Sequence, residues 1–409
     1  MNIRIQSNQT KFQKQITITG SKSESNRSLL LRALYPGLTI ENLSNSDDSV
    51  VMEKGLEITN GTVDIHHAGT AMRFLTAFFA VKPGAEVILT GSKRMTERPI
   101  EILVEALRQL GAEISYEKDQ GYPPIKIKGK RITQNKVTLA ANISSQYISA
   151  LLLVAPSLDK GLILELEGKI TSVPYIRMTL SLLEELGVQT KFEGNTITVK
   201  PLKSSPEKQL VVESDWSSAS YYYSIVALCE PGTTIRLSSY KQHSLQGDSV
   251  LQEIYSEFGV ASSFEGHDLL LRKVTDISKQ TVVTLDLTNA PDIAQTIAVS
   301  CFGLGIACEL SGLHTLKIKE TDRLEALKAE LGKLGADISV TDATLSLKAT
   351  SAIKEEIPID TYDDHRMAMA FAPLALKVPI LINQAEVVSK SYPDFWKDLV
   401  SLGFQKEVV

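Results

Sequence analysis

The segment Leu334-Gly335-Ala336-Asp337-Ile338 places a glycine between the end of an amphipathic helical pattern and a short β-rich run. Glycine suits this position because the residue after the last helical turn often adopts a positive φ. The regular recurrence of such junctions predicts a repeated helix-plus-strand module, although they also arise independently in any α/β protein. The five glycines are Gly111, Gly187, Gly259, Gly335 and Gly403, at intervals of 76, 72, 76 and 68 residues. A weak sixth copy is expected within residues 52–65.

The composition is that of a globular protein with more than one domain. The chain has 409 residues, 43% of them hydrophobic and 22% charged, and a formal net charge of -5. A negative net charge argues against a nucleic-acid-binding protein, which usually has a high pI. It still permits a local basic cleft for an anionic substrate.

The cysteines and the apolar segments indicate the compartment. Cys229, Cys301 and Cys308 are too few for a disulfide framework and fit a reducing environment. The polar residues 1–15 lack the apolar core of a signal peptide. The best membrane-span candidate, residues 368–382, is interrupted by two prolines and a lysine. These features predict a cytoplasmic protein.

Basic residues recur where the sequence predicts helix starts. In residues 20–27, Ser21 and Glu24 have the spacing of a capping box. Lys22 and Arg27 add positive charge to a helix N-terminus, whose free N–H groups attract anions. A solvated cap with surface charges would contain the same residues, so this segment alone favours neither interpretation. Similar helix starts are residues 68–73, 317–324 and 363–367. Residues 144–146 are a helix start with two serines and no basic residue, and residues 93–99 are a loop with three basic residues.

The strongest acid–base candidate lies in residues 317–324. On a helix start, Lys319 and Arg323 are four residues apart, and Glu320 precedes Arg323 by three. A carboxylate beside two cations can have a shifted pKa, which is typical of catalytic sites, but a surface ion-pair ladder has the same spacing. Asp292 and His365 are weaker candidates, because an aspartate at a helix start is often a cap and a single histidine is often structural.

Several other chemistries lack their motifs. The sequence has no Gly-Lys-Ser/Thr phosphate-binding loop and no Gly-x-Ser-x-Gly nucleophile turn. Its six histidines show no metal-ligand spacing with the cysteines. We therefore expect neither a metal nor a cofactor.

Taken together, these segments resemble the 5-enolpyruvylshikimate-3-phosphate synthases, a family of enolpyruvyl transferases. The matching pieces occur in the same order over nearly the whole chain, from about Thr19 to Phe395. Each piece is short, but their collinearity is specific. They include Gly20-Ser21-Lys22-Ser23, Asn26-Arg27, residues 68–73, Arg98-Pro99, Ser144-Ser145-Gln146, Pro174-Tyr175, Ser217-Ser218-Ala219, Gln246-Gly247-Asp248, Pro291-Asp292, Lys319-Glu320-Thr321-Asp322-Arg323, Asp364-His365-Arg366 and Lys390 with Pro393-Asp394.

The resemblance implies an α/β fold of two similar domains. Each domain would contain three βαβαββ repeats in the inside-out α/β barrel arrangement of enolpyruvyl transferases. The first, discontinuous domain is predicted at residues 1–19 plus 215–409 and the second at residues 20–214. The active site is expected in the cleft between the domains.

The resemblance also implies a reaction. The enolpyruvyl group of phosphoenolpyruvate passes to the 5-hydroxyl of shikimate 3-phosphate, and phosphate leaves by addition–elimination through a tetrahedral intermediate. Both substrates are polyanions, so cations and the exclusion of water would lower the barrier. The implied partners are these two substrates, without nucleic acid or membrane, and we expect a monomer.

The family's motifs also assign the site residues by position. Asp292 is the expected base for the attacking hydroxyl, Glu320 is the expected acid for C3 of phosphoenolpyruvate, and Lys22 is a further proton-transfer candidate. The expected phosphoenolpyruvate ligands are Lys22, Gly69, Arg98, Arg323, Arg366 and Lys390. The expected shikimate 3-phosphate ligands are Ser23, Arg27, Ser144, Ser145, Ser172, Tyr175 and Lys319, and Gln146, His365 and Asp292 complete the binding set.

Five positions depart from the family's pattern. His67 stands where Asn or Asp is usual, and Phe74 stands where proline is frequent. Val173 and Arg177 replace the usual basic residue and aspartate around the Pro-Tyr pair, and Thr315 replaces the usual asparagine. The response to inhibitors and the shikimate side of the pocket therefore stay open.

Two alternative functions were considered. The related enzyme that transfers enolpyruvate to UDP-N-acetylglucosamine typically has a cysteine before its arginine-rich turn, and residues 91–99 contain none. A non-catalytic protein that binds phosphorylated metabolites would not require both Asp292 and Glu320.

Overall fold

The computed structural model describes residues 1–140, 144–168, 170, 173–278, 280, 282–350 and 352–409. The strands are β1 (Ile3–Gln6), β2 (Gln13–Ile16), β3 (Leu38–Glu41), β4 (Asn60–Asp64), β5 (Glu86–Thr90), β6 (Glu113–Tyr116), β7 (Ile125–Lys128), β8 (Lys136–Ala140), β9 (Leu162–Glu167), β10 (Thr190–Glu193), β11 (Thr196–Val199), β12 (Lys208–Val211), β13 (Thr234–Leu237), β14 (Val260–Glu265), β15 (Asp268–Lys273), β16 (Val282–Asp286), β17 (Ala307–Ser311), β18 (Ile338–Val340), β19 (Leu345–Leu347), β20 (Pro358–Ile359), β21 (Ile380–Ile382) and β22 (Gln405–Val408). The α-helices are α1 (Lys22–Leu34), α2 (Asp47–Glu57), α3 (Gly69–Val81), α4 (Lys93–Thr96), α5 (Glu101–Gln109), α6 (Ser145–Val154), α7 (Val173–Glu185), α8 (Trp216–Leu228), α9 (Leu251–Ser256), α10 (Ala294–Leu304), α11 (Arg323–Lys333), α12 (His365–Phe371) and α13 (Phe395–Ser401).

The chain forms two compact units. The first unit comprises Met1–Thr19 with Glu213–Val409, and the second comprises Gly20–Val212. Each unit has its own apolar core. The cores contain helices that are buried on almost every side, as expected for helices packed on all faces. In α3 every residue except Val81 is buried, and in α8 every residue except Ser217 is buried.

Five four-stranded sheets share one pattern of strand order and direction. In the sheet β4-β5-β7-β6, β4 and β5 are parallel and the other two pairs are antiparallel. Helix α3 connects the parallel pair, and α5 leads to the β6–β7 hairpin. The order of elements in this repeat is therefore βαβαββ. The mixed α/β class is confirmed, and the small sheets are consistent with repeated βαβαββ units. The other four sheets are β10-β11-β9-β8, β16-β17-β19-β18, β14-β15-β13-β2 and β20-β21-β1-β22.

Two of these sheets take a strand from the N-terminus. Strand β1 lies between β21 and β22, with Ile3 opposite both Ile382 and Val408. Strand β2 runs parallel to β13, with Ile16 opposite Leu237, and the whole second unit lies between β2 and β13 in the sequence. The first unit is therefore discontinuous, because its sheets are completed by the beginning of the chain.

The repeated glycines end helices. After α5, the Gly111 N–H donates to the Arg108 carbonyl at 2.9 Å, and the Ala112 N–H donates to the Leu107 carbonyl at 2.9 Å. This Schellman arrangement pairs C-terminal carbonyls and turns the chain towards the next strand. The predicted role of the glycines is confirmed. Gly111, Gly187, Gly259, Gly335 and Gly403 have φ values of 103°, 85°, 75°, 104° and 102°.

The sixth copy expected within residues 52–65 is wrong. This fully described stretch contains the end of α2, the extended residue Ile58 and strand β4, which belongs to the next sheet. The sheet to which the preceding strand β3 belongs has only two described strands, β12 and β3, in parallel. The chain therefore passes from α2 into β4 without a helix-terminal glycine.

The described helices and the cysteines allow two further statements. No described helix is long and apolar enough to cross a membrane. The three cysteines are free and buried. Burial raises the pKa of the Cys229 thiol to about 12, so this thiol is protonated at neutral pH.

Candidate active-site residues

Arg323 links three carboxylates in the first unit. It is the first residue of α11 and only 2% exposed. Its Nε donates to Asp364 at 2.6 Å, its Nη1 to Asp292 at 2.9 Å and its Nη2 to Glu320 at 2.8 Å. Burial lowers the pKa of Arg323, but the three carboxylates raise it above its ordinary value. The predicted acid and the predicted base thus each contact Arg323, a predicted ligand of phosphoenolpyruvate.

Asp292 is surrounded by cations. Besides Arg323, its carboxylate lies 3.4 Å from Lys319 Nζ and 3.2 Å from Arg366 Nη2. Arg366 Nη1 also donates to the backbone carbonyl of Asp292 at 3.2 Å. Asp292 itself lies in a short 3-10 turn, Pro291–Ile293, directly before α10. The cations and the turn together fix the position of the predicted base.

A second aspartate lies behind Arg366. The Ser217 hydroxyl donates to Asp248 Oδ2, and Arg366 Nη2 donates to Ser217 Oγ at 3.3 Å. Asp248 is buried, and its Oδ1 has no hydrogen-bond partner among the described residues. Burial, followed by the charge of Asp292, raises the pKa of Asp248 to about 6. Its protonation therefore changes just below neutral pH.

Replacing Asp248 with asparagine is expected to stabilise the protein at neutral pH. Because the folded-state pKa, about 6, lies above the ordinary value of 3.8, the folded protein retains a proton between these values that the unfolded chain has released. Stability therefore falls as pH rises through this window, by about 2–3 kcal/mol in total. Urea unfolding at pH 4 and pH 7 should show that the free energy of unfolding of Asp248→Asn no longer falls between these two pH values.

The exposed residue Asp337 provides the control for this experiment, since its side chain lies on the surface of the same unit. Asp337→Asn should leave the pH dependence of the free energy of unfolding as in the parent chain. Parallel pH curves for the parent and Asp248→Asn would show that the buried carboxyl does not titrate in this window.

The segment before α12 has an unusual backbone. Tyr362 and Asp363 have φ values of 53° and 56°, a left-handed conformation that costs about 1–2 kcal/mol for each non-glycine residue. Lys390 Nζ donates to the Asp363 carbonyl at 2.5 Å. The Asp364 side chain then caps α12 by accepting the Arg366 backbone N–H at 2.9 Å. This segment therefore sets the positions of two predicted phosphoenolpyruvate ligands.

In the second unit, Arg27 connects several helices. Its Nε donates to Thr179 at 2.8 Å, its Nη2 to Ser149 at 3.0 Å and its Nη1 to the Ser23 carbonyl at 2.7 Å. Its guanidinium also lies 5.4 Å from the centre of the Phe74 ring, within the range of a cation–π contact. Burial lowers the pKa of Arg27 to about 10, so it stays positively charged at neutral pH.

Gly69 gives the Arg98 side chain access to the start of α3. A Cβ atom on Gly69 would lie 2.8 Å from Arg98 Nη1, so only glycine leaves the guanidinium in place. Gln146 Nε2 donates to Thr70 Oγ1 at 3.2 Å, which brings the starts of α3 and α6 together. Ser144 caps α6 by accepting the Gln146 N–H at 3.4 Å.

Lys22 is the first residue of α1. Its Nζ lies 3.5 Å from the carboxylate of Asp48, near the start of α2. Ser21 is the N-cap of α1, but its side chain makes no capping hydrogen bond. The side-chain cap predicted for Ser21 is therefore wrong. Ser21 contacts the helix through its backbone, where its carbonyl accepts the Ser25 N–H at 2.8 Å.

Three predicted ligands have less informative positions. His365 is buried at the start of α12, and Ser145 is buried at the start of α6. The ring centre of Tyr175 lies 6.0 Å from the Arg27 guanidinium. Ser172 lies outside the described residues. The substrate contacts of these four residues, like those of the other predicted ligands, stay predictions.

The structure adds residues that the sequence analysis did not single out. Asp48, Ser217, Asp248 and Asp364 all contact predicted site residues. Three of them belong to segments quoted for the resemblance, but a capping aspartate or a serine gives no separate signal of a role. The described residues contain no group of three or more His, Cys, Asp or Glu side chains that could hold a metal ion.

Comparison with known proteins gives one consistent result. The family model for EPSP synthase (3-phosphoshikimate 1-carboxyvinyltransferase) matches residues 37–399. The 3-phosphoshikimate 1-carboxyvinyltransferase of Bacteroides fragilis (strain YCH46) is 45% identical over 396 residues, covering 95% of each chain. That of Colwellia psychrerythraea is 35% identical over 424 residues, covering 96% of this chain and 97% of the relative. The EPSP synthase structure from Acinetobacter baumannii has a TM-score of 0.79 at 20% identity, with full coverage of both chains, and supports the fold.

Proposed function

Because this chain belongs to the EPSP synthase family and catalyses the family's 3-phosphoshikimate 1-carboxyvinyl transfer in the shikimate pathway, we propose how its residues carry out that reaction. Both phosphoenolpyruvate and shikimate 3-phosphate are anions, so bringing them together requires positive charge from the protein. Arg323 in the first unit and Arg98 in the second unit supply this positive charge.

The proposed phosphoenolpyruvate ligands are cations at helix starts and in neighbouring segments. Arg98 lies against the start of α3, where the free N–H groups favour an anion. Arg323, Arg366 and Lys390 contribute from the first unit, and Lys22 contributes from the second. Shikimate 3-phosphate is bound at the starts of α1, α6 and α7, with Lys319 from the first unit. The ligands proposed there are Ser23, Arg27, Ser144, Ser145, Gln146, Ser172 and Tyr175.

Asp292 and Glu320 divide the proton transfers. As the 5-hydroxyl oxygen attacks C2 of phosphoenolpyruvate, Asp292 takes the hydroxyl proton and Glu320 donates a proton to C3. In the second step, Glu320 takes a proton back from C3 and the C2–O bond to phosphate breaks, with Lys22 available to protonate the leaving group. The observation that carries this assignment is that Arg323 binds both carboxylates, at 2.9 and 2.8 Å. Two carboxyl groups on one guanidinium are close enough to act on one substrate pair.

The test is a phosphate-release assay. The purified protein, incubated with phosphoenolpyruvate and shikimate 3-phosphate, should release inorganic phosphate and form the enolpyruvyl ether in equal amounts. UDP-N-acetylglucosamine as the acceptor is the control and should give no product. Turnover with UDP-N-acetylglucosamine alone would contradict the proposed acceptor.

Solution scattering tests the proposed monomer. The molecular mass in solution should be close to 44.8 kDa, and a doubled mass would contradict the monomer.

A further inference from the structure

We infer that Glu330 is a positioning residue for phosphoenolpyruvate binding, because its buried carboxylate fixes the segment 360–364, on which Lys390 and Arg366 depend. The inference rests on the proposed function, which assigns both cations to phosphoenolpyruvate. Glu330 lies near the end of α11 and is 0% exposed.

Both oxygens of Glu330 bind this segment. Oε1 accepts the Tyr362 hydroxyl at 2.6 Å, and Oε2 accepts the Asp360 backbone N–H at 3.0 Å. Lys333 donates to Glu330 Oε2 at 2.7 Å and to the Asp360 carboxylate at 2.7 Å, so the buried negative charge is balanced. Charged hydrogen bonds in a dry environment define direction more strictly than apolar contacts do.

The segment requires such support. Tyr362 and Asp363 adopt positive φ values in succession, 53° and 56°, and non-glycine residues keep this conformation only where surrounding contacts enforce it. The Tyr362 side chain is 38% exposed, so apolar packing holds it only partly. Its hydroxyl bond to Glu330 therefore supplies much of the restraint.

Helix α11 holds the segment at both ends. Arg323, at the start of the helix, binds Asp364, and Glu330, two turns later, binds Asp360. The Asp363 carbonyl between these points accepts Lys390 Nζ at 2.5 Å. A shift of the segment would displace both Lys390 and the start of α12, where Arg366 lies.

A purely structural role makes a different prediction. If Glu330 only stabilises the fold, its loss lowers the melting temperature and changes the Michaelis constants of both substrates alike, or neither. A positioning role raises the Michaelis constant of phosphoenolpyruvate alone, because the proposed shikimate 3-phosphate ligands lie outside segment 360–364.

The experiment compares Glu330→Gln and Tyr362→Phe with two matched controls. Glu325→Gln changes an exposed glutamate on the same helix, and Tyr116→Phe removes a hydroxyl without a hydrogen-bond partner among the described residues. In each test variant we expect the Michaelis constant of phosphoenolpyruvate, and its dissociation constant measured by calorimetry with phosphoenolpyruvate as the only substrate, to rise about tenfold. The Michaelis constant of shikimate 3-phosphate should change by less than about twofold, and the controls should match the parent chain.

The double variant should bind phosphoenolpyruvate about as weakly as the weaker single variant, since both changes break the same link. Unchanged phosphoenolpyruvate binding in both single variants, or equal increases for both substrates, would overturn the inference. If Glu330→Gln does not fold, Tyr362→Phe decides the question, because its side chain is partly exposed. A parent protein that binds phosphoenolpyruvate but releases no phosphate would instead contradict the proposed function.

Discussion

Replacing Glu320 with glutamine is expected to lower the turnover number by about 10²–10⁴-fold while leaving substrate binding nearly unchanged. Glutamine has the same shape, and its carbonyl oxygen can still accept the hydrogen bond that Arg323 Nη2 donates to Glu320 Oε2 at 2.8 Å. It has no acidic proton for C3 of phosphoenolpyruvate. The variant therefore loses the proton transfer without losing the geometry of the cluster.

The effect of this substitution is measured at two levels. Steady-state phosphate release gives the turnover number, and calorimetric titration gives the affinity for each substrate. In deuterated water, the parent enzyme should place deuterium on C3 of the product, and the variant should do so only at its residual rate. Glu325→Gln, an exposed change five residues along the chain, is the control. Near-normal turnover in Glu320→Gln would remove Glu320 from the role of acid.

Replacing Arg323 with leucine is expected to lower the free energy of unfolding by about 3–5 kcal/mol and to abolish turnover. The guanidinium is 2% exposed and binds Asp364, which is 0% exposed, as well as Asp292 and Glu320. Its removal leaves a buried carboxylate without its cation, and the cost of desolvating that charge is no longer offset. The two proposed proton-transfer groups lose their common anchor at the same time.

A surface arginine of the same unit provides the control. Arg236 binds Glu265 at 2.6 Å and Asp268 at 3.3 Å, but the side chains of Arg236, Glu265 and Asp268 are 31%, 57% and 32% exposed. Arg236→Leu should therefore lower the free energy of unfolding far less than Arg323→Leu does and leave turnover intact. Urea unfolding at pH 7 measures both variants. If Arg323→Leu lowered the free energy of unfolding as little as Arg236→Leu does, other groups would be compensating the buried charge of Asp364.

The sequence predicted the helix ends of the repeated unit because a glycine C-cap is a local feature. The residues that make the Schellman bonds after α5 all lie within one or two turns, as in Gly111 to Arg108. The sixth copy was wrong because α2 ends at the extended residue Ile58, without a helix-terminal glycine, and the chain then enters β4. The helix starts rich in basic residues were located from sequence for the same local reason.

The resemblance identified the candidate site residues, whereas their partners required the coordinates. Sequence spacing indicated the Glu320–Arg323 contact, three residues apart, but not the contacts of Arg323 with Asp292 and Asp364, which are 31 and 41 residues away. It also gave no sign that Asp248 approaches Arg366 through Ser217. These contacts form only when separate helices pack into one unit.

By itself, the sequence determined the repeat, the helix ends, the family and the set of cations and carboxylates available for chemistry. The tertiary structure decided which of these groups touch, how deeply each is buried, and that the first strands of the chain complete sheets formed by its second half, with Ile3 opposite Val408. The physical reason is the distance along the chain over which each kind of interaction acts. Backbone preferences act over one helical turn, while a charge pair or a strand pair between distant residues exists only where packing excludes water and holds both partners in place.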